Sequence, residues 1–153
     1  MSVATKLKEL GIEIPPAPAP AANYVPFAVA GKLVFIAGQV PRSPDGKLKY
    51  VGKVGKDLTE KEGYDAARLC ALNCLAQLQA AAGSLDKVKR IVRLGGFVNC
   101  VPEFANQPQV INGASDLIVQ LFGDKGRHAR TAVGAASLPA NVATEVEMIA
   151  ALE

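Results

Sequence analysis

Tryptophan is absent from the 153-residue sequence, which also contains only one histidine and three cysteines. A single histidine, His128, excludes a multi-histidine zinc site, and this residue inventory does not support a Ser-His-Asp triad either. Cys70 and Cys74 lie four residues apart and Cys100 is distant, so the cysteines match neither a metal-site spacing nor a disulfide framework. We therefore expect three reduced, buried thiols and a protein that binds no metal.

Long hydrophobic runs are missing as well. No apolar stretch approaches the roughly 20 residues that a membrane-spanning helix needs, and no apolar segment of a secretory signal follows the lysines near the N-terminus. Half of the residues are hydrophobic and a fifth are charged, which is typical of a globular protein. We expect one soluble, cytoplasmic domain over residues 1–153, in which residues 1–22 form an N-terminal extension that ends in a stiff Pro/Ala linker.

A strong charge of either sign is also lacking, because the formal net charge is only +3. One basic cluster is present, formed by Lys87, Lys89, Arg90 and Arg93 at the start of a predicted strand. Nucleic-acid binding usually requires a larger basic face with aromatic residues interleaved. The cluster is more typical of a strand edge that charge protects from aggregation, and the composition argues against a nucleic-acid partner.

Hydrophobic periodicity and turn residues predict the element order β-β-α-β-α-β-β. Thr59 and Glu62 form a capping box ahead of the first long helix, and Gly83 follows its last turn. The second long helix has apolar residues at i, i+3 and i+4 and stops at Gly123. The predicted ranges are a short helix at 3–11, strands near 24–30 and 33–39, a loop at 41–57, a helix between Thr59 and Gly83, a strand near 88–99, a helix at 106–122, and strands near 130–136 and 144–152.

The predicted strands do not alternate cleanly between apolar and polar residues. Segments such as LVFIAG, TAVGAA and EVEMIAAL are apolar at positions of both parities, a pattern typical of strands that are covered on both faces. Two helices can shield only one face of a five-stranded sheet. We therefore expect a second copy of the chain to bury the other face, because an exposed apolar sheet of that size would aggregate.

Three charged residues stand out in the last two predicted strands. Arg130 begins an otherwise apolar strand, and Glu145 and Glu147 interrupt the final strand two residues apart, which places them on the same face. A charge on such a strand is destabilising unless it is paired. Two interpretations remain open: an ion pair between Arg130 and one of the glutamates, or an anion site in which the Arg130 guanidinium binds a carboxylate through two parallel hydrogen bonds.

Three segments occur in an order and spacing that resemble a known family. They are Tyr24-Val25 ahead of a hairpin ending in Ala37-Gly38-Gln39-Val40-Pro41, FVNCVPEFANQPQVIN at 97–112, and ARTAVGAASLPANVATEVEMIA at 129–150. Together they resemble the reactive-intermediate deaminase family, also called the YjgF or RidA family. The resemblance covers residues 22 to 152.

This resemblance implies an α+β, chorismate-mutase-like fold, with a mixed sheet and two helices packed on one of its faces. It also implies a homotrimer with clefts between subunits. The implied reaction is the hydrolysis of enamine and imine intermediates of the 2-aminoacrylate type to 2-oxoacids and ammonia, without a cofactor. The partner would then be a small metabolite that carries a carboxylate.

The resemblance also implies roles for particular residues. Arg130 would bind the substrate carboxylate, Glu145 would position the attacking water, and the backbone of Gly38 would hydrogen-bond at the reacting end. Tyr24, from a neighbouring chain, and Asn112 would line the cleft. Ala132 would also belong to the substrate-binding residues. It departs from the family pattern, because many members have cysteine two residues after the arginine, so thiol chemistry has no place in this mechanism.

Alternatives to a deaminase stay open at this point. The same cleft could bind a carboxylate metabolite without turning it over, and the family's older name describes an L-PSP endoribonuclease. Ribonuclease activity gains little from a chain with one histidine and a modest charge, because RNA cleavage usually needs acid–base groups beside the scissile phosphate.

Overall fold

Three α-helices and five β-strands make up the computed structural model, which describes residues 1–153. The helices are α1 (Val3–Glu9), α2 (Glu60–Ala82) and α3 (Gln107–Phe122), and the strands are β1 (Phe27–Ala30), β2 (Leu33–Gln39), β3 (Val88–Asn99), β4 (Ala129–Ala135) and β5 (Thr144–Leu152). The predicted element order is confirmed, with α1 as the short helix ahead of it. No helix of the chain combines the length and the apolar character that a membrane span requires.

The first strand is the one element whose predicted start is clearly wrong. It begins at Phe27 rather than near residue 24, because Pro26 has no N–H to donate to the strand ladder. The carbonyl of Pro26 still accepts a hydrogen bond of 3.0 Å from the Ala37 N–H. The chain therefore joins the sheet only after this proline.

The five strands form one mixed sheet with the order β1-β2-β5-β3-β4. Only β3 and β4 pair in parallel, and the other neighbours are antiparallel. The register places Leu94 of β3 between Arg130 of β4 and Met148 of β5, and Phe97 between Val133 and Glu145. Because directly paired residues point to the same face of a sheet, these two rows define its two faces.

Helices α2 and α3 cover the face on which Leu94 and Met148 lie. Thr59 and Glu62 form the predicted capping box at the start of α2, and Gly83 ends it at a φ of 80°, a left-handed conformation that glycine adopts without strain. The core between the helices and the sheet includes Leu75, Leu78, Ile91, Leu94, Ile111, Leu117, Ile118, Leu121 and Met148.

The three cysteines are buried and unpaired, as expected. Cys70 and Cys74 lie under β5, where their thiols contact the Thr144 hydroxyl and the Val146 carbonyl respectively. Burial in apolar surroundings raises the pKa of the Cys70 thiol to about 12. Both residues therefore act as small core side chains.

The opposite face of the sheet carries no helix. Leu33, Phe35 and Val133 are 38%, 41% and 41% exposed on it, although their strand neighbours Val34 and Ile36 are fully or almost fully buried against the helices. Glu145 and Glu147 lie on this uncovered face too, as their spacing predicted. They pair with Phe97 and Gly95 of β3, which both belong to that face of the sheet. We call this surface the open face.

Helices α2 and α3 approach closely at Gly113. A Cβ at this position would overlap the backbone carbonyl of Tyr64 on α2, and the Tyr64 hydroxyl donates to the Asp116 carboxylate at 2.7 Å just beyond it. The glycine thus sets the distance between the two helices.

Replacing Gly113 with alanine should therefore destabilise the fold. Overpacking typically costs about 1–3 kcal/mol, which for a chain of this length lowers the melting temperature by roughly 2–4 °C per kcal/mol. Gln120→Ala places the same side chain on the exposed side of α3 and should leave the melting temperature almost unchanged. An unaltered melting temperature in Gly113→Ala would contradict the close helix contact.

Candidate functional site

Arg130 lies on the helix-covered face of the sheet, at the edge strand β4. It pairs with Leu94, and its Nη1 donates to the Asn112 Oδ1 at 2.7 Å and to the Ser115 Oγ at 3.1 Å. Asn112 and Ser115 are three residues apart and therefore share one face of α3. Gly96 of β3 lets α3 pack this close to the sheet, because a Cβ at this position would lie 2.6 Å from the side chain of Ile111 on α3.

The remaining donors of the Arg130 guanidinium are available to a ligand. Nη1 carries two N–H groups, and Asn112 and Ser115 accept one each. The Nε and Nη2 groups have no partner within the chain. This free edge of the guanidinium has the geometry of the two-pronged fork that binds a carboxylate.

The first of the two interpretations from sequence is wrong, because Arg130 forms no ion pair with Glu145 or Glu147 in the chain. The ion pairs in the chain are Lys61–Asp65, Lys125–Glu153 and Arg127–Asp124. Arg130 is instead held by two neutral side chains, and Glu145 and Glu147 point to the open face. The physical reason is register, since pairing with Leu94 directs Arg130 toward α3.

Glu145 forms a second polar centre on the open face. It lies beside Gly38, where a Cβ would overlap its carboxylate. Both residues line a cavity of about 220 Å³ together with Tyr24, Arg42 and Leu48. The Pro/Ala segment at residues 18–21 forms another wall of this cavity, where the Gln77 Nε2 donates to the Pro18 carbonyl at 2.6 Å.

The Glu145 carboxylate has a perturbed acidity. Burial raises its pKa above the ordinary value, and the nearby charge of Glu147 raises it further. The Glu145 carboxylate has no ion-pair partner within the chain, and its pKa is shifted upward, toward neutral pH. Such a carboxylate is suited to accept a proton from water.

The residues expected at the site thus form two groups within one chain. Arg130, Asn112 and Ala132 lie on the helix-covered side of β4, whereas Tyr24, Gly38 and Glu145 lie on the open face. Two strand spacings, about 10 Å, separate β4 from β5 in addition to the thickness of the sheet. A small ligand bound to a single copy of the chain therefore cannot contact both groups.

Two residues of the Arg130 group were missed from the sequence. Ser115 receives the second Nη1 hydrogen bond, and its Oγ lies 2.9 Å from the Nε2 of His128. Their spacing carried a signal, because Ser115 follows Asn112 by three helical positions and His128 precedes Arg130 by two residues on the same face. No group of three or more His, Cys, Asp or Glu side chains is arranged to hold a metal ion.

Comparison with known proteins identifies the family. The family described as "YjgF/chorismate mutase-like, putative endoribonuclease" matches residues 4–152. The chain belongs to this family. The expected family and its α+β fold are therefore confirmed.

Individual relatives of this YjgF-family protein match it over nearly their whole length. Protein TCP17 of Trypanosoma cruzi is 49% identical over 151 residues, which are 98% of this chain and 94% of the relative. The crystal structure of Atu1372, a protein of unknown function from Agrobacterium tumefaciens, has 47% identity and a TM-score of 0.88, covering 99% and 94% of the two chains. Escherichia coli TdcF with bound serine has 26% identity and a TM-score of 0.64, covering 90% and 94%.

The raised pKa of Glu145 predicts the pH dependence of one variant. A carboxyl group whose pKa is higher in the folded state destabilises the fold when ionised, and this penalty disappears below the ordinary glutamate pKa. Glu145→Gln should therefore slightly raise the melting temperature at pH 7–8, and the gain should vanish as the pH falls to about 4. Thermal denaturation across this pH range measures it.

Glu103→Gln provides the control, because Glu103 is exposed in the loop before α3. Its melting temperature should follow that of the wild type at every pH. A lower melting temperature of Glu145→Gln at neutral pH would contradict the prediction and would show that the Glu145 charge has a stabilising partner.

Proposed function

We propose that the protein hydrolyses enamine and imine intermediates of the 2-aminoacrylate type to 2-oxoacids and ammonia. The observation that carries this proposal is the free Nε/Nη2 edge of Arg130, held at the sheet edge by Asn112 and Ser115. Such an edge recognises a carboxylate next to the reacting carbon. Family membership supports the same reaction class, and the chain's likeness to TdcF, whose structure contains bound serine, supports a small amino-acid-like ligand.

The Glu145 centre can supply the chemistry of hydrolysis. The imine tautomer of 2-aminoacrylate has an electrophilic C2, and water adds there while it passes one proton to the Glu145 carboxylate. That proton then moves to the imine nitrogen and gives a carbinolamine with a hydroxyl and an amino group on C2. The Glu145 carboxylate next carries the hydroxyl proton to the nitrogen, the C–N bond breaks, and ammonia leaves as the C2 carbonyl forms. The reaction needs an oriented carboxylate and a placed water more than a strong nucleophile, which fits the alanine at position 132.

The complete site requires two copies of the chain. Arg130 and Glu145 lie on opposite faces of one sheet, so a ligand that touches both must lie between the β4 edge of one copy and the Glu145 cavity of another. The exposed Leu33, Phe35 and Val133 give the open face an apolar surface that a second copy can bury. Assembly and catalysis are thereby linked.

The proposed assembly is a cyclic homotrimer. A contact that joins the β4 edge of one copy to the open face of the next is heterologous, and such contacts form closed rings when the rotation closes. Three subunits is the number that the family resemblance implies. The ring would contain three equivalent sites and leave no open face exposed.

Binding without turnover is the second candidate function. It is favoured by the separation of the two centres, because the Arg130 centre alone can bind a carboxylate. Endoribonuclease activity, named in the family's description, has less support from the geometry. Both ring nitrogens of His128, the only histidine, already have hydrogen-bond partners within the chain.

Arg130→Lys is the direct test of carboxylate recognition. Lysine keeps the positive charge but cannot hold Asn112 and Ser115 while it offers a two-pronged fork. Loss of such a charge-assisted pair costs about 2–5 kcal/mol, so hydrolysis of freshly generated 2-aminoacrylate should fall roughly 30- to 4,000-fold. Release of ammonia or 2-oxoacid measures the rate.

Melting curves and a matched variant separate this effect from damage to the fold. The melting temperature of Arg130→Lys should fall by no more than about 4 °C, since few hydrogen bonds of the free protein are altered. Arg90→Lys, an exposed arginine of β3, should keep full activity. Full activity in Arg130→Lys together with a lowered melting temperature would rule out the proposed role.

Subunit mixing tests whether Arg130 and Glu145 act across an interface. Arg130→Lys and Glu145→Gln should each be nearly inactive alone. When they are refolded together in equal amounts, about three quarters of random trimers contain both variants, and each of these has one intact site of three. Activity should therefore return to about a quarter of the wild-type value.

Each variant refolded by itself is the control and should stay inactive. Light scattering on the same samples should give roughly three times the 15.9 kDa of the chain. A stable monomer would contradict the assembly, and inactive mixed oligomers would contradict a site shared between copies.

A further inference from the structure

A chain of hydrogen bonds runs behind Arg130 to the turn that precedes β4. The Arg130 Nη1 lies 3.1 Å from the Ser115 Oγ, which lies 2.9 Å from the Nε2 of His128. The Nδ1 of His128 lies 2.6 Å from the carbonyl oxygen of Gly126. Helix α3, strand β4 and the turn at residues 123–126 are thus joined through one serine and one imidazole.

The direction of each hydrogen bond follows from the groups involved. The Gly126 carbonyl can only accept, so the proton of a neutral His128 ring lies on Nδ1. Nε2 is then an acceptor and takes the hydroxyl proton of Ser115. The guanidinium of Arg130 can only donate, so the lone pair of the Ser115 Oγ faces Nη1. All the bonds in the chain can form together.

This arrangement controls how the guanidinium rotates. Asn112 alone would fix one N–H of Nη1 and leave the plane of the group free to turn about that bond. Ser115 fixes the second N–H, and His128 fixes the hydroxyl orientation that makes Ser115 an acceptor. A planar group held at both protons of one nitrogen has a single orientation, with Nε and Nη2 directed away from α3.

We propose that Ser115 and His128 are positioning residues that orient Arg130 so that its Nε/Nη2 edge meets the carboxylate of the substrate. This inference rests on the proposed function, since it assumes that Arg130 binds a carboxylate. Neither residue needs to touch the ligand. Their effect reaches the ligand through the guanidinium, and it should be lost when the hydroxyl of Ser115 is removed.

The surroundings of His128 favour the neutral ring that this chain requires. Burial lowers the pKa of His128 below its ordinary value, and this effect outweighs the hydrogen bond to the Gly126 carbonyl, which raises the pKa. The charge of Arg130 lowers it further. Other charged groups of the neighbouring elements have their own partners: Asp116 of α3 accepts from Tyr64, and Asp124 pairs with Arg127. The Arg90 guanidinium of β3 donates to the Arg127 carbonyl.

Pyruvate binding to the intact protein, measured by calorimetry, tests the positioning role. Ser115→Ala removes the hydroxyl that accepts from Arg130 and donates to His128. The dissociation constant for pyruvate should then rise about fivefold to thirtyfold. Ser115→Thr keeps the hydroxyl and should stay within about twofold of the wild type. Ser137→Ala, at an exposed serine after β4, is the matched control and should bind as the wild type does.

A second variant covers the case in which Ser115→Ala fails to fold. In His128→Asn the side-chain amide can still donate to the Gly126 carbonyl, but nothing remains at the Nε2 position to accept from Ser115. Its affinity for pyruvate should fall as well, by about twofold to fivefold. In the wild type, ¹⁵N NMR of the ring should show the proton on Nδ1.

The outcomes separate this inference from the proposed function. Unchanged pyruvate affinity in Ser115→Ala and His128→Asn, with a lowered melting temperature, would mean that the two residues serve only the fold and would overturn the inference alone. A ring proton on Nε2 would also overturn it, because His128 could not then accept from Ser115. No pyruvate binding by the wild type, or equal binding by Arg130→Lys, would overturn the proposed function and the inference together.

Discussion

The β-sheet is apolar on both faces, and two long helices cover only one of them. Leu94 and Met148 are buried under α2 and α3, whereas Phe35 and Val133 remain about two-fifths exposed on the other side. Folding of one chain therefore leaves apolar surface in contact with water, and the hydrophobic effect favours burying it. The same division between the faces separates Arg130 from Glu145. In the proposed shared site, the contact that buries the open face would also bring these two residues together.

The charged groups on the two faces of this sheet have different surroundings, and neither group is neutralised within the chain. Arg130 is half-buried and has neutral acceptors in Asn112 and Ser115, which orient its charge without neutralising it. Glu145 forms no ion pair within the chain, and its raised pKa reflects burial and the like charge of Glu147. Arg130 thus keeps free donors and Glu145 keeps a free carboxylate. A ligand with a carboxylate at one end and a reactive carbon at the other could contact both.

Much of the fold was predictable because its signals are local. The capping box at Thr59 and the glycine after α2 act through backbone groups within one turn, so the sequence alone marks both ends of that helix. The apolar pattern of both parities indicated a sheet that needs cover on both sides. Arg130 and Glu145 stood out as charges on apolar strands, and the spacing of Glu145 and Glu147 placed these two on one face. Gly38, Tyr24 and Asn112 were found by resemblance to the family.

The order of the elements, the apolar face of the second long helix and the resemblance to the family can all be read from the amino-acid sequence. The face of the sheet that each charged residue occupies depends on the strand pairing in the folded chain, because side-chain alternation fixes directions within one strand and not between strands. Parallel pairing with β3 turns Arg130 toward α3, and antiparallel pairing on the other side of β3 turns Glu145 away. The link from Ser115 to His128 likewise depends on how α3 packs beside β4, a long-range contact that no local pattern specifies.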